Sequence, residues 1–272
     1  MIWVEPGTDI SKVIYLDMFV SDPDVPSIDQ HIVAVDQEHL EQLKNNPLKI
    51  NPNLERDRML TNDYYHKYPF GTLHYLIARM CRDGIDVRLP DLNKALIKYP
   101  DITLGKLLLR PDDAMYSSLS AYKDNAIEWW EWLIDYSKNS KQIIALRDYI
   151  YNNEFSDSKK DKENVNAFFM NVLHCQHGDG AFDVISDENG RIYEIVKSVI
   201  EAMGYISGWN TKELVIPERY DIKMGEWYRA SASYSNIPEI KQMIKHSTMY
   251  SYSFTFGPNK KNNFSFTTNM RY

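Results

Sequence analysis

The chain of 272 residues has a formal net charge of −7 and is 43% hydrophobic and 25% charged, a balance typical of ordinary globular proteins. An acidic protein binds nucleic acid or anionic membranes poorly in a non-specific way, because they carry the same charge. Apolar runs are only a few residues long, far below the ~20 needed to span a bilayer. The first residues lack the basic start and apolar core of a signal peptide. We therefore expect a soluble, cytoplasmic protein without a membrane partner.

The cysteine content points to the same compartment. Cys81 and Cys175 are the only cysteines and stand far apart in sequence, whereas a secreted domain held by disulfides carries more. Both are interpreted as reduced thiols, with a single disulfide as the alternative. Lys, Asn, Ile and Tyr are plentiful, a composition associated with AT-rich genomes such as those of low-GC bacteria and their phages.

The N-terminal region mixes strands and helices. Residues 12–20 are rich in Val, Ile, Tyr and Phe and predict a strand, and residues 31–35 predict a second one. The segment 21–26 between them contains two prolines and predicts a loop. Asp36 can cap a short helix that continues to about Asn46.

The next stretch again alternates helix and strand. Apolar residues after Thr72 recur at helical spacing until Gly84, a good helix stop. Residues 85–89 then predict a short strand, and residues 90–97 predict another short helix.

A tryptophan-rich helix follows. Asp124 can cap it, and it contains Trp129, Trp130 and Trp132. Because it is apolar nearly all round, it predicts burial between layers; a ligand-stacking or partner surface is the alternative. A further helix is predicted at 141–151.

The segment 155–163 is dominated by charged residues and lacks the apolar residues that would order it by burial. We interpret it as an exposed loop or a linker. As a linker, it separates an N-terminal α+β region, 1–154, from a C-terminal helix and hairpin region, 164–272. A single domain is the alternative.

The C-terminal region is predicted to contain two helices and an antiparallel hairpin. Helical stripes run from Val165 to a stop at Gly178 and across residues 192–203 to a stop at Gly204. Aromatic residues then occupy alternate, even-numbered positions, which places all of them on one face: Tyr250, Tyr252, Phe254, Phe256, Phe264 and Phe266. The predicted fold class is α+β.

The strongest candidate for chemistry lies at the end of the Val165 helix. His174 and His177 are three residues apart, and Asp179 and Asp183 follow in a glycine-containing loop. If the helix extends to Gly178, both imidazoles lie on one side of its last turn. His174, His177 and Asp179 can then bind a divalent metal ion. Alternatively, the same set with Asp183 supplies a general base, a histidine oriented by an aspartate. The alternative is that the histidines cap a helix C-terminus.

A second candidate site precedes the Thr72 helix, where cationic and aromatic residues cluster: Arg56, Arg58, Tyr65 and His66. Arginine forks suit phosphate, and helix N-termini attract it. No glycine-rich cradle accompanies them, so a surface loop over packed tyrosines is the alternative.

The C-terminal hairpin gives a third candidate. No acidic residue follows Glu239, and Lys260 and Lys261 lie in the predicted hairpin turn. The aromatic face is interpreted either as a base-stacking platform for single-stranded nucleic acid or as a face that packs on the core. The hairpin edge could also pair with another subunit or a protein partner.

A nuclease-like pattern of Asp183, Glu194 and Lys197 is weak, because Glu194 and Lys197 are three residues apart in a helical stripe instead of two apart on a strand. Two functions stay open. One is a nucleotide- or nucleic-acid-directed enzyme, a hydrolase or transferase, that uses the His/Asp cluster. The other is a non-catalytic binding or assembly protein, such as a phage accessory or structural component.

Overall fold

A computed structural model of the chain describes residues 2–61, 66–96, 98–108, 120–152, 158–176, 184–208, 216–232, 236–246, 249–256 and 262–271. The strands in chain order are β1 Ile2–Val4, β2 Tyr15–Leu16, β3 Ser27–Ile28, β4 Lys49–Ile50, β5 Ala95–Leu96, β6 Tyr99–Thr103, β7 Asp221–Ala232, β8 Met249–Phe256 and β9 Asn262–Arg271. The helices are α1 Gln37–Lys44, α2 Pro52–Glu55, α3 Thr72–Arg82, α4 Leu104–Leu108, α5 Ser120–Tyr136, α6 Lys141–Asn152, α7 Ser158–Ala167, α8 Glu194–Ser207 and α9 Ile237–His246. A 3₁₀ turn, Ile10–Lys12, and a π-helix, Phe168–Val172, complete the set.

The larger sheet is antiparallel, with the strand order β1-β7-β9-β8. Its β8–β9 hairpin pairs Tyr252 with Phe266 and Phe254 with Phe264. The predicted C-terminal hairpin is confirmed, and with the helices it confirms the α+β class. None of the described helices is both long enough and apolar enough to cross a membrane.

The aromatic face of this hairpin belongs to the core. Tyr252, Phe254 and Phe264 are buried and pack against Phe19 and Ile32 from the N-terminal region. The Phe254 and Phe264 rings stack with centroids 5.1 Å apart. A stacking platform on these three rings is therefore wrong, because a ring buried in the core has no face left for a base.

The smaller sheet is parallel, with the order β2-β3-β4. Its strands are only two residues long, and a buried lysine supports the connection between the first two. Lys49 Nζ on β4 donates to the carbonyl oxygens of Val20, Asp22 and Val25 at 2.5–2.8 Å. One cation thus satisfies the carbonyls of a proline-containing loop that has no ladder of its own.

A second core forms around the tryptophan helix, α5. Trp129 and Trp130 are buried among residues of α3 and α6, together with Tyr68 and Tyr75. The prediction of a buried helix is confirmed for these two rings. A third core joins the helix α7 and the π-helix to α8.

Several predicted elements differ in the structure. Residues 31–35 form no strand: residues 32–35 are buried, and Ile32 makes an isolated bridge to Phe254. Residues 85–89 form no strand, and the predicted helix at 90–97 contains β5. Local propensity encodes neither the burial of residues 32–35 nor the pairing of β5, and residues 85–89 are largely exposed and have no strand partner among the described residues.

The observed helix boundaries also differ from the predicted ones. Within the predicted linker 155–163, the helix α7 begins at Ser158, because Val165 and its neighbours provide the apolar contacts that hold it. The helix α8 continues through Gly204 and ends before Gly208, whose φ of +70° is the left-handed conformation typical of a helix stop. The division into regions 1–154 and 164–272 stays a prediction, although the hairpin core contains residues from both.

Candidate functional site

Two aspartates and a histidine meet where the parallel strands end. Asp17 follows β2, and Asp29 and His31 follow β3. One ligand atom from each of the three lies within 4.8 Å of the others. Loops after the carboxyl ends of parallel strands are common ligand sites, because neighbouring strands deliver their loops to the same edge. We call these three residues the Asp–His cluster.

Within the cluster, Asp29 and His31 form a tight pair. Asp29 is 1% exposed. Its Oδ1 lies 2.8 Å from His31 Nδ1, and its Oδ2 accepts a hydrogen bond from the backbone N–H of His31 at 3.1 Å. Burial disfavours the imidazolium, but the hydrogen bond and the negative charges of Asp29 and Asp17 outweigh it, so the pKa of His31 is raised. The pair can therefore hold a proton more readily than an isolated histidine.

Buried amides hold the loop that carries this pair. Asn51, directly after β4, donates from Nδ2 to the carbonyl of His31 at 2.8 Å, and Asn53 donates to the carbonyl of Gln30 at 2.7 Å. Asn53 Oδ1 in turn accepts from the backbone N–H of Tyr68 at 2.8 Å. Such outer contacts fix the orientation of a site before a ligand arrives.

Asp17 is positioned by its backbone and by a helix. Its φ of +60° is unusual for a residue other than glycine. Its backbone N–H donates to the carbonyl of Ile28 at 2.8 Å, and the hydroxyl of Thr72, the first residue of α3, donates to Asp17 Oδ1. These contacts turn an exposed carboxylate toward Asp29 and His31.

The cluster opens into a small pocket of about 130 Å³. The antiparallel sheet contributes hydroxyl groups and an indole from one face, together with Tyr252 and Phe266. The residues from that one face are Ser251, Ser253, Ser265, Thr267 and Trp227. The segment after β2 reaches this sheet through the Val20–Ser251 bridge. Both sheets therefore contribute to the site, which explains why no single stretch of sequence contains it.

The predicted site around His174 is only partly within the described residues. The helical stretch ends at Val172, and His174 lies beyond it, exposed, with a φ of +54°. The expectation that His174 lies on the last turn of a helix is therefore wrong, because the π-helix closes the helical stretch early. His177, Asp179 and Asp183 lie outside the described residues, so their convergence with His174 stays a prediction.

In the structure, the two arginines that were predicted to bind phosphate contact other side chains of the protein. Arg56 and Arg58 both pair with Glu128, the latter at 3.0 Å, and the Arg56 guanidinium lies 4.4 Å from the centroid of Trp129. His66 is exposed, and its carbonyl accepts from Trp129 Nε1 at 3.0 Å. Ligand binding by these residues stays a prediction, as it does for Tyr65, Lys260 and Lys261, which lie outside the described residues.

Glu194 and Lys197 lie in the first turn of α8 and pair with each other at 2.9 Å. They are on a helix, so the strand geometry of the nuclease-like pattern does not apply to them.

Sequence reasoning missed the Asp–His cluster because Asp17 and His31 were assigned to strands. A local signal was present in the dipeptides Leu16-Asp17, Ile28-Asp29 and Ile50-Asn51. In each, a strand-forming apolar residue is followed at once by a polar residue suited to a strand end. Comparisons with models of known protein families, with curated proteins and with solved structures found no match for this chain.

Proposed function

We propose that the protein is an enzyme, a divalent-cation-dependent hydrolase of phosphate esters centred on the Asp–His cluster. The observation that supports this is the convergence of two carboxylates and an imidazole within 4.8 Å beside an open pocket. Carboxylate oxygens suit Mg²⁺ and Mn²⁺, and a nearby imidazole extends the range to Zn²⁺. The proposal keeps the class of enzyme that the sequence indicated and moves its centre from His174 to His31.

The charge of the cluster favours a phosphate ester that binds through a cation. Two carboxylates repel an anionic ester, but a divalent cation bound between them reverses the sign of the local field. The cation supplies Lewis-acid activation of the ester and of a water molecule. Asp17 and Asp29 would hold it.

His31 would then act as the proton donor. Because Asp29 raises the pKa of His31, the imidazole holds a proton more readily than an isolated histidine and would donate it to a leaving oxygen. Asp29 keeps the ring in one orientation through Nδ1, as carboxylates do for histidines in many metal sites.

The direct test is calorimetric titration with Mn²⁺, Mg²⁺ and Zn²⁺. Asp29→Asn keeps the size of the side chain but removes its charge, and we expect it to weaken Mn²⁺ binding by about 10- to 100-fold. Asp86→Asn is the matched control, because Asp86 is exposed and distant in sequence from the cluster. A wild-type protein that binds none of the three cations at millimolar concentration overturns the proposal.

A second pair of measurements separates the roles within the cluster. His31→Gln should abolish phosphate release from a panel of monoesters and diesters while leaving Mn²⁺ affinity within a few fold. Asp17→Asn should reduce both. Full activity in His31→Gln contradicts the assigned proton transfer.

The residues His174, His177, Asp179 and Asp183 stay a separate proposal for a metal or proton-transfer site. His177→Ala should then release one equivalent of bound zinc without changing Mn²⁺ binding at the Asp–His cluster.

A cytoplasmic location is also proposed, and the free thiols of Cys81 and Cys175 support it.

A non-catalytic role in assembly is favoured by one observation. Beyond Lys223, the outer edge of β7 has no strand partner among the described residues, whereas the outer edge of β8 is met by Val20 and Ile32. Unpaired strand edges are templates for pairing with another chain. Light scattering that shows a monomer at high concentration contradicts self-assembly through this edge.

A further inference from the structure

The sheet face opposite the Asp–His cluster carries two aligned rows of side chains. Strand register places Ser251, Thr267 and Trp227 side by side across β8, β9 and β7. The next row on the same face contains Ser253, Ser265 and Arg229. Each row begins at β8, beside the cluster, and ends on β7. We call this surface the hydroxyl shelf.

The far end of the hydroxyl shelf presents an exposed aromatic ring. Trp227 is 62% exposed and lines the pocket, and the Arg229 guanidinium lies 5.3 Å from its ring centroid. A tryptophan at this exposure leaves a large planar apolar surface in water, where a planar ligand can stack on it. Tyr228, the neighbouring residue on the opposite face, is 45% exposed and instead stacks on Phe266 with centroids 5.3 Å apart. On the pocket side, Trp227 is therefore the exposed aromatic ring of this strand.

The dimensions of the shelf limit the size of a ligand. Adjacent strands are about 4.8 Å apart, so the distance from β8 to β7 is about 10 Å. A ligand that reaches from the cluster to Trp227 therefore has an ionic group at one end, a polar middle and a planar ring at the other end. That is the size and the order of groups in a mononucleotide.

The charges argue against a nucleic-acid polymer. Arg229 is the basic residue of the hydroxyl shelf, and the described residues that line the pocket itself include no lysine or arginine. Polymer binding depends on many contacts between basic side chains and phosphates. A single phosphate held through a cation needs no such row of cations.

We propose that the substrate of the Asp–His cluster is a mononucleotide whose base stacks on Trp227, whose ribose hydroxyls contact the hydroxyl shelf, and whose phosphate meets the cation. This inference rests on the proposed function, because the cation places the phosphate. Trp227 is a binding residue here, and it acts on specificity and not on the chemical step.

The experiment compares nucleotide binding in four proteins. AMP with Mn²⁺ is titrated into wild type, Trp227→Ala, Trp227→Phe and Tyr228→Ala by calorimetry. Base–aromatic stacking predicts that Trp227→Ala loses about 5- to 150-fold in AMP affinity. Trp227→Phe should recover most of that loss, because a phenyl ring also stacks. Tyr228→Ala, an aromatic truncation on the other face of the same strand, should bind AMP like wild type.

Two ligands without a base separate this inference from the proposed function. Affinities for Mn²⁺ alone and for glycerol phosphate with Mn²⁺ should be the same in wild type and Trp227→Ala. If Mn²⁺ and glycerol phosphate bind but AMP binds no tighter than glycerol phosphate, the nucleotide inference is overturned and the hydrolase stands. If no cation binds, the proposed function fails, whatever the result with AMP.

Two further outcomes also decide the matter. Equal AMP affinity in wild type and Trp227→Ala overturns the stacking role of Trp227. Single-stranded DNA that binds more tightly than AMP, with an affinity that falls steeply with salt, overturns the mononucleotide assignment. Circular dichroism and urea midpoints of all four proteins identify any variant that fails to fold. If Trp227→Ala does not fold, AMP affinity is compared between wild type and Trp227→Phe instead.

Discussion

Replacing Lys49 with methionine tests how the loop between Asp17 and Asp29 is held in place. Lys49 is buried on β4, and burial lowers the pKa of its ammonium to about 8, so the group is still largely charged at pH 7. It donates to the carbonyl oxygens of Val20 and Val25 at 2.8 and 2.6 Å and to that of Asp22 at 2.5 Å. Methionine keeps most of the apolar stem and contributes no donor.

The expected loss follows from the carbonyls that are left without a partner. A buried acceptor deprived of its hydrogen bond costs about 1–3 kcal/mol, and the bonds to Val20 and Val25 are both buried. The bond to Asp22 is only partly buried, so water can replace it in part. We expect Lys49→Met to lower the free energy of unfolding by about 3–5 kcal/mol, a large share of the ~5–15 kcal/mol of a typical domain.

Urea denaturation at pH 7, followed by circular dichroism and tryptophan fluorescence, measures this loss. Lys12→Met is the matched control, because the Lys12 side chain is 80% exposed and pairs with Asp9, which is also exposed. It should change the free energy by less than about 0.5 kcal/mol. A Lys49→Met protein within about 1 kcal/mol of wild type would refute the reasoning and show that the loop carbonyls find other donors.

Three further predictions concern titration and backbone strain. Burial lowers the pKa of His74 to about 4, so below pH 6.5 the unfolded chain binds a proton that the folded protein does not. The contribution of His74 to stability, up to about 3 kcal/mol, is therefore present above pH 6.5 and lost as the pH falls toward 4. His74→Phe should flatten that part of the plot of urea midpoint against pH. Asp29→Asn removes the main partner that raises the pKa of His31, so an NMR titration should find the His31 pKa lower in the variant; an unchanged value means that Asp29 does not set it. Gly190→Ala directs a methyl group into a neighbouring backbone carbonyl, whereas in Gly84→Ala, at a similar φ of +82°, the methyl group meets nothing within 4 Å. We expect Gly84→Ala to destabilise the fold by about 1 kcal/mol and Gly190→Ala by at least about 2 kcal/mol more. Equal losses of stability in the two variants contradict the clash.

Local sequence patterns predicted the helices and strands that have one buried face. The helix after Thr72, the tryptophan helix and the C-terminal hairpin all carry apolar residues at the period of the structure they form. For these elements, burial of that face is the main driving force, and the sequence displays it directly.

The same patterns failed where a segment depends on a distant partner. Residues 31–35 look like a strand because most of them are apolar, yet residues 32–35 are buried without a ladder beside β8. Lys49 looks like a surface lysine, yet it lies inside a loop of carbonyls. Neither outcome is encoded within a window of neighbouring residues.

The candidate site shows the same division. The sequence alone determined that acids and histidines would be available and which segments would be apolar, but its predicted strands at 12–20 and 31–35 ran past the true strand ends. Only the tertiary structure decided that Asp17 and Asp29 meet His31, and that Trp227 faces them across the sheet. The reason is that side-chain chemistry is fixed residue by residue, whereas proximity arises from strand pairing between segments about 200 residues apart, such as Val20 and Ser251.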